Sequence, residues 1–144
     1  MNISDCVFCA IAAGEAEASI VHQDERAVVF MDIGPITPGH MLVIPRRHAS
    51  NLAELSGDDG AEVMRAGMVA AASLRASGVR CEGVNLFLAD GEAAGQEVFH
   101  VHLHVIGRFR GDGFGFQFPP DYGVRTRSEL DSVAGRLRDS WGAS

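Results

Sequence analysis

The sequence predicts an α+β domain: a mainly antiparallel five-stranded sheet with one long central helix and a C-terminal helix. Three observations carry this expectation. Short β-favouring runs are joined by connections of hairpin length. Residues 61–77 hold an apolar stripe at three- and four-residue intervals. The order strand, strand, strand, long helix, strand, strand, helix lacks the regular alternation that a parallel sheet requires.

The elements follow in chain order. Cys6-Val7-Phe8-Cys9 has the spacing of a metal knuckle or a redox pair, and a helical turn through Ala10–Ala13 stops at Gly14. Ile20–His22 and Ala27–Met31 read as strands around a polar turn, Gln23–Arg26. Asp32 ends the second strand. Gly34-Pro35-Ile36-Thr37-Pro38-Gly39 excludes regular structure, and His40–Pro45 is the third strand, closed by proline. Ser56-Gly57-Asp58-Asp59 approaches the long helix, whose stripe is Val63, Met64, Gly67, Met68, Ala71 and Leu74. Its small residues Ala66, Gly67, Ala70 and Ala71 suit close packing on the sheet, or a helix neighbour across a dimer. Val84–Ala89 is the fourth strand. Residues 108–123, rich in Gly and Phe, read as an ordered loop, and Thr126-Arg127-Ser128-Glu129 matches a capping box before a short helix carrying Leu130, Val133, Leu137 and Trp141. No repeat or linker divides the chain, so residues 1–144 are expected to form a single domain.

Composition narrows the function. A formal net charge of −7 argues against a general nucleic-acid backbone binder. Arg46, Arg47, Arg108 and Arg110 either draw a small anion to this acidic chain or are solvated surface residues. Three cysteines without a secretory context, and no Lys or Arg in the first twenty residues, suit a reduced, cytoplasmic setting. No apolar run approaches the roughly 20 residues of a membrane span.

The most informative stretch is Phe99-His100-Val101-His102-Leu103-His104-Val105-Ile106. Strict alternation is a strand pattern, and it puts three imidazoles on one face about 6.6 Å apart. Two chemistries want this. In one, histidines and a carboxylate hold a metal that activates water, with His100 and His102 as ligands. In the other, a neutral imidazole attacks phosphorus, carries the transferred group on nitrogen and yields it to water. The glycine-punctuated loop Asp90–Glu97, able to offer backbone N–H groups to an anion, favours phosphorus.

These residues resemble the signature of the histidine-triad (HIT) superfamily. Phe30-Met31-Asp32-Ile33, Thr37-Pro38-Gly39-His40, Leu42-Val43-Ile44-Pro45 and Gly95-Gln96-Glu97-Val98 extend the likeness, in order and spacing, from about Cys6 to Arg108. The resemblance implies a HIT-like domain and a nucleotidyl hydrolase or transferase acting at the α-phosphate of AMP-type substrates, in a homodimer whose sheets join. It implies His102 as nucleophile, His104 on the phosphate oxygens or leaving group, and His40 supporting the cluster. It also implies Asp32 on the ribose hydroxyls, Ile33 along the base, and Gln96 with the Glu97 backbone in a phosphate cradle. Two positions depart from the pattern. Ala89 stands where Asn or Gln is usual at the end of the fourth strand, with Asn85 four residues earlier. Glu97 stands where some members carry Ser or Thr, its carboxylate turned toward a leaving-group amine. Members opening with Cys-x-x-Cys further imply a structural zinc on Cys6, Cys9, His48 and His100. The competing expectation is a nucleotide-binding regulatory or scaffold module with residual catalysis.

Overall fold

The structure, a computed structural model, describes residues 5–143. They form two compact units, one reaching Phe114 and one starting at Gly115. The first contains α1 (Val7–Ala13), β1 (Ile20–Gln23), β2 (Ala27–Met31), β3 (Met41–Pro45), α2 (Gly57–Ala76), β4 (Gly83–Phe87) and β5 (Leu103–Arg108). The strands make one antiparallel sheet in the order β1-β2-β3-β5-β4.

Strand alternation divides the core between two faces. Ala27, Val29, Met41, Val43, Leu103 and Val105 meet Val63, Ala66, Ala70, Ala71 and Leu74 of α2. Val28, Phe30, Leu42 and Ile44 meet Cys6, Phe8 and Ile11 around α1. β2 and β3 are apolar throughout because both faces are covered.

Local chemistry sets the boundaries. Gly14, at φ 76°, caps α1. Asp24 Oδ1 accepts from the amides of Arg26 (2.8 Å) and Ala27 (2.9 Å), closing the β1–β2 turn. The Ser56 hydroxyl accepts from the Asp59 amide, so α2 starts at Gly57, earlier than the apolar stripe suggests. The small residues of α2 pack on the sheet: a Cβ on Gly67 would stand 2.6 Å from Leu103 Cδ2. Met64 and Met68, expected in the buried stripe, are exposed, because the helix touches the sheet along its small-residue line.

The histidine strand is shorter than expected. Its ladder begins at Leu103, opposite Val43. Upstream, the Val101 amide donates to Ala49 O, and the carbonyl of Pro45 is taken by the His100 side chain, so residues 99–102 form a lead-in outside the ladder, bent at Phe99 and His100. β4 ends at Phe87, two residues short of the expected Ala89.

In the second unit, α3 (Arg127–Asp139) starts at the expected capping box, with the Thr126 hydroxyl and the Glu129 carboxylate each bonded to the other's backbone. Leu130, Val133, Leu137 and Trp141 are all exposed. Among the described residues, no helix is long and apolar enough to cross a membrane.

Candidate functional site

The alternating stretch does not present three equivalent imidazoles. It feeds two clusters, with His102 between them.

The first cluster gathers Cys6, which caps α1, Cys9 from its first turn, His48 just past β3, and His100. His100 Nε2 donates to Pro45 O at 2.8 Å, which leaves Nδ1 with a lone pair. That Nδ1 stands 3.5 Å from each thiol sulfur and 3.2 Å from His48 Nδ1, which is 3.3 Å from the Cys9 sulfur. Ligands held at roughly 2.0–2.3 Å around a tetrahedral zinc lie about 3.3–3.8 Å from one another, and these separations match. Burial, with neighbouring His48 and His102, pushes His100 down to about 4 against the pull of the Pro45 bond, so the ring stays neutral. Burial, then the hydrogen bond and charge of Cys6, push Cys9 up to about 11. Two thiols sharing this space call for a cation, and the donor set fits zinc.

His102 is buried, and its ring meets Phe8 edge-on at 5.1 Å and His104 at 5.0 Å. Nδ1 lies 2.7 Å from the His100 carbonyl, which can only accept, so Nδ1 carries a hydrogen and, in the neutral ring, Nε2 holds the lone pair.

The second cluster joins Asp32, His40 and His104. The Ile36 amide, inside the Gly34–Gly39 turn, donates to His40 Nδ1 at 3.0 Å. His40 Nε2 therefore holds the hydrogen and gives it to His104 Nδ1 at 2.9 Å, leaving a hydrogen on His104 Nε2. Burial pushes His104 down to about 4, helped by His102 and His40 and opposed by Asp32. Burial also lowers His40, again against Asp32. The Asp32, His40 and His104 donors are close enough for an ion, but the Ile36 bond deprives His40 Nε2 of the lone pair a metal needs.

The remaining expected residues are dispersed. Ile33 is fully exposed just after Asp32, and Glu97 is exposed in the loop before the lead-in. Gln96 is buried and spends its amide internally: Oε1 accepts from the Gly91 amide, and Nε2 donates to Ser50 O and Val98 O. It braces the loop, and among the described residues no backbone carbonyl accepts from the Glu97 or Val98 amide. Asn85 faces Ile106 rather than the histidines, and its Oδ1 accepts from Arg108 at 2.6 Å. Arg108 also pairs with Asp112, and Arg46 bonds to Asp24 O, Ala12 O and Gln23, so both are structural ties. Ala89 is buried and offers no polar side chain. Sequence reasoning missed Phe8, which backs His100 and His102, and Phe87, which pairs with His104 in the β4–β5 register with the rings 5.8 Å apart. Strand register reveals Phe87, whereas Phe8 comes to the triad only through the packing of α1 on the sheet.

Fold and site together define a class: an antiparallel α+β domain in which alternating histidines take fixed tautomers, His100 and His102 from backbone carbonyls and His104 from His40. The chain belongs to the HIT family, whose HIT domain model matches residues 13–111. An uncharacterized HIT-like protein of Borreliella burgdorferi is 40% identical over 114 residues, covering 78% of this chain and 82% of its own. A zinc-bound histidine triad family protein from Mycobacterium smegmatis is 37% identical, with a TM-score of 0.76 over 96% of this chain and 99% of that one. A histidine triad nucleotide-binding protein from Candida albicans is 26% identical, with a TM-score of 0.82 over 94% of this chain and 96% of that one.

Proposed function

We propose that the protein is a nucleotidyl hydrolase or transferase that cleaves the α-phosphate bond of AMP-linked substrates, namely phosphoramidates, adenylylated compounds or dinucleoside polyphosphates. The observation that carries this is the His102 tautomer. With Nδ1–H held by the His100 carbonyl, the neutral ring presents its Nε2 lone pair as the nucleophile, with no separate base needed. His104 Nε2–H lies beside it as the donor to the phosphate oxygens or leaving group. Asp32 and Ile33 serve ribose and base. The braced loop offers the Glu97 backbone to phosphate, and Glu97 turns toward a leaving amine. Asn85, tied to Arg108, serves the site only indirectly.

Zinc on Cys6, Cys9, His48 and His100 supplies a structural clamp that ties the α1 segment to the lead-in. A homodimer joined at the β4 edge is the expected assembly. β4 is an outer strand with Leu86 and Phe87 exposed, and Met64 and Met68 of α2 are exposed as well. The experiment is release of AMP from an adenosine phosphoramidate: the protein turns it over, and His102→Ala binds AMP without turnover.

One observation favours a second reading, a nucleotide-binding regulatory module. Ala89 gives the phosphate no side-chain donor, and Gln96 and Asn85 are committed elsewhere. Tight AMP binding with no turnover of any of the three substrate classes would support it.

A further inference from the structure

The Asp32 carboxylate faces two ways. Oδ1 accepts from the Gly34 amide at 2.8 Å, while Oδ2 turns inward, 3.5 Å from His40 Nε2 and 3.8 Å from His104 Nδ1. Resting on the function proposed above, we infer that Asp32 is a positioning residue for proton delivery, receiving both inner N–H groups when the His40–His104 pair takes up an extra proton and so aiming His104 Nε2–H at the leaving group.

In the described geometry one hydrogen lies between His40 Nε2 and His104 Nδ1 and another sits on His104 Nε2, so each ring is neutral. From that state, giving up the Nε2 hydrogen would leave an imidazolate, which is inaccessible near neutral pH. Delivery to a poor leaving group such as an amine therefore needs a third hydrogen. His40 Nδ1 cannot take it, because that nitrogen accepts from the Ile36 amide. His104 Nδ1 can, but His40 Nε2–H and His104 Nδ1–H then oppose each other and need an acceptor that both can reach. Asp32 Oδ2 is that acceptor. Of the titratable groups facing the pair, His102 disfavours the extra proton and Asp32 favours it, and a bound phosphate adds a second negative charge.

The cycle then balances. His102 Nε2 bonds to phosphorus, the bond to the leaving group breaks with its electron pair on the leaving group, and the His104 Nε2 proton moves to that pair. His104 is left neutral, with Nδ1–H still on Asp32. Water then attacks phosphorus, its proton goes to the bare Nε2, and the P–N bond breaks with its pair returning to His102. A carboxylate that served ribose alone would have no part in either transfer.

The test pairs two leaving groups with two sugars. Wild type and Asp32→Asn, which retains an oxygen for the Gly34 amide, are assayed on AMP joined to an alkylamine and on AMP joined to nitrophenol. Each substrate is made with ribose and with 2′,3′-dideoxyribose. For the amine, kcat falls about 100-fold in the variant, the scale of general-acid catalysis, while the nitrophenyl ester loses no more than about 3-fold; the contrast persists on the dideoxy sugar. An equal loss for both leaving groups that disappears on the dideoxy sugar would overturn the inference. Imidazole ¹⁵N spectra with AMP bound provide a readout free of turnover. A protonated His104 in wild type that becomes neutral in Asp32→Asn supports the role, and identical spectra refute it even if no substrate is cleaved.

Discussion

The backbone carbonyl of His100 holds Nδ1 of His102 at 2.7 Å, while the side chain of His100 reaches toward two thiols and a second imidazole. One residue thus connects the metal-capable cluster to the nucleophile. Whatever fixes the His100 ring also fixes the carbonyl that sets the His102 tautomer.

Protein purified without added metal carries one zinc per chain, and Cys9→Ser carries none. Loss of the ion lowers the melting temperature by about 5 °C or more, because the cluster joins α1 to the lead-in across the sheet. Metal analysis and thermal melts check both. Two zinc ions per chain would contradict the tautomer assigned to His40.

Acid weakens the fold through the second cluster. Burial, then His102 and His40, hold His104 at about 4 when folded, against 6.5 as its ordinary value. Between those values the unfolded chain binds the proton that the folded chain refuses. Stability is therefore whole above about pH 6.5 and falls as the pH drops toward 4, with a limiting slope of about 1.4 kcal/mol per pH unit for this group. Urea titrations from pH 7 to 4.5 will show a shallower decline in His104→Asn than in wild type.

At Gly67 a side chain would have to displace Leu103 of β5, whose Cδ2 lies 2.6 Å from where a Cβ would stand. Gly67→Val costs about 1–3 kcal/mol by overpacking, whereas Met68→Val, on the exposed face, stays within about 0.5 kcal/mol. Chemical denaturation of the two variants tests the contact.

Gln96 braces the loop before the histidines through Gly91, Ser50 and Val98. Gln96→Leu keeps the volume and strands three backbone groups, so it costs about 1–3 kcal/mol and raises KM for AMP-linked substrates more than it lowers kcat. A direct phosphate contact by the Gln96 side chain would instead lower kcat most.

Much of this was legible in the sequence. Periodicity gave the sheet, the long helix and the capping box at Thr126, since each depends on residues near in the chain. The histidine alternation gave the site, and the family likeness gave the four metal-capable residues. What could not be read depends on distant partners. Asn85 looked available until Arg108, brought alongside by the β4–β5 register, claimed its oxygen. Gln96 looked like a ligand to phosphate because one of its backbone acceptors, Ser50 O, lies in a separate segment. The stripe of α2 included Met64 and Met68 because spacing alone cannot reveal that small residues set the line of contact. The end of the ladder before His102 depends on the Pro45 carbonyl being claimed by the His100 side chain.

The proposed reaction passes the nucleotidyl group through His102 Nε2. Rapid quenching of the protein with an adenosine phosphoramidate, followed by peptide mass mapping, tests it most directly. A transient adenylyl adduct on His102 is expected, forming and decaying at rates that match turnover and absent in His102→Ala. Turnover without any adduct, or an adduct on His104 or His100, would contradict it.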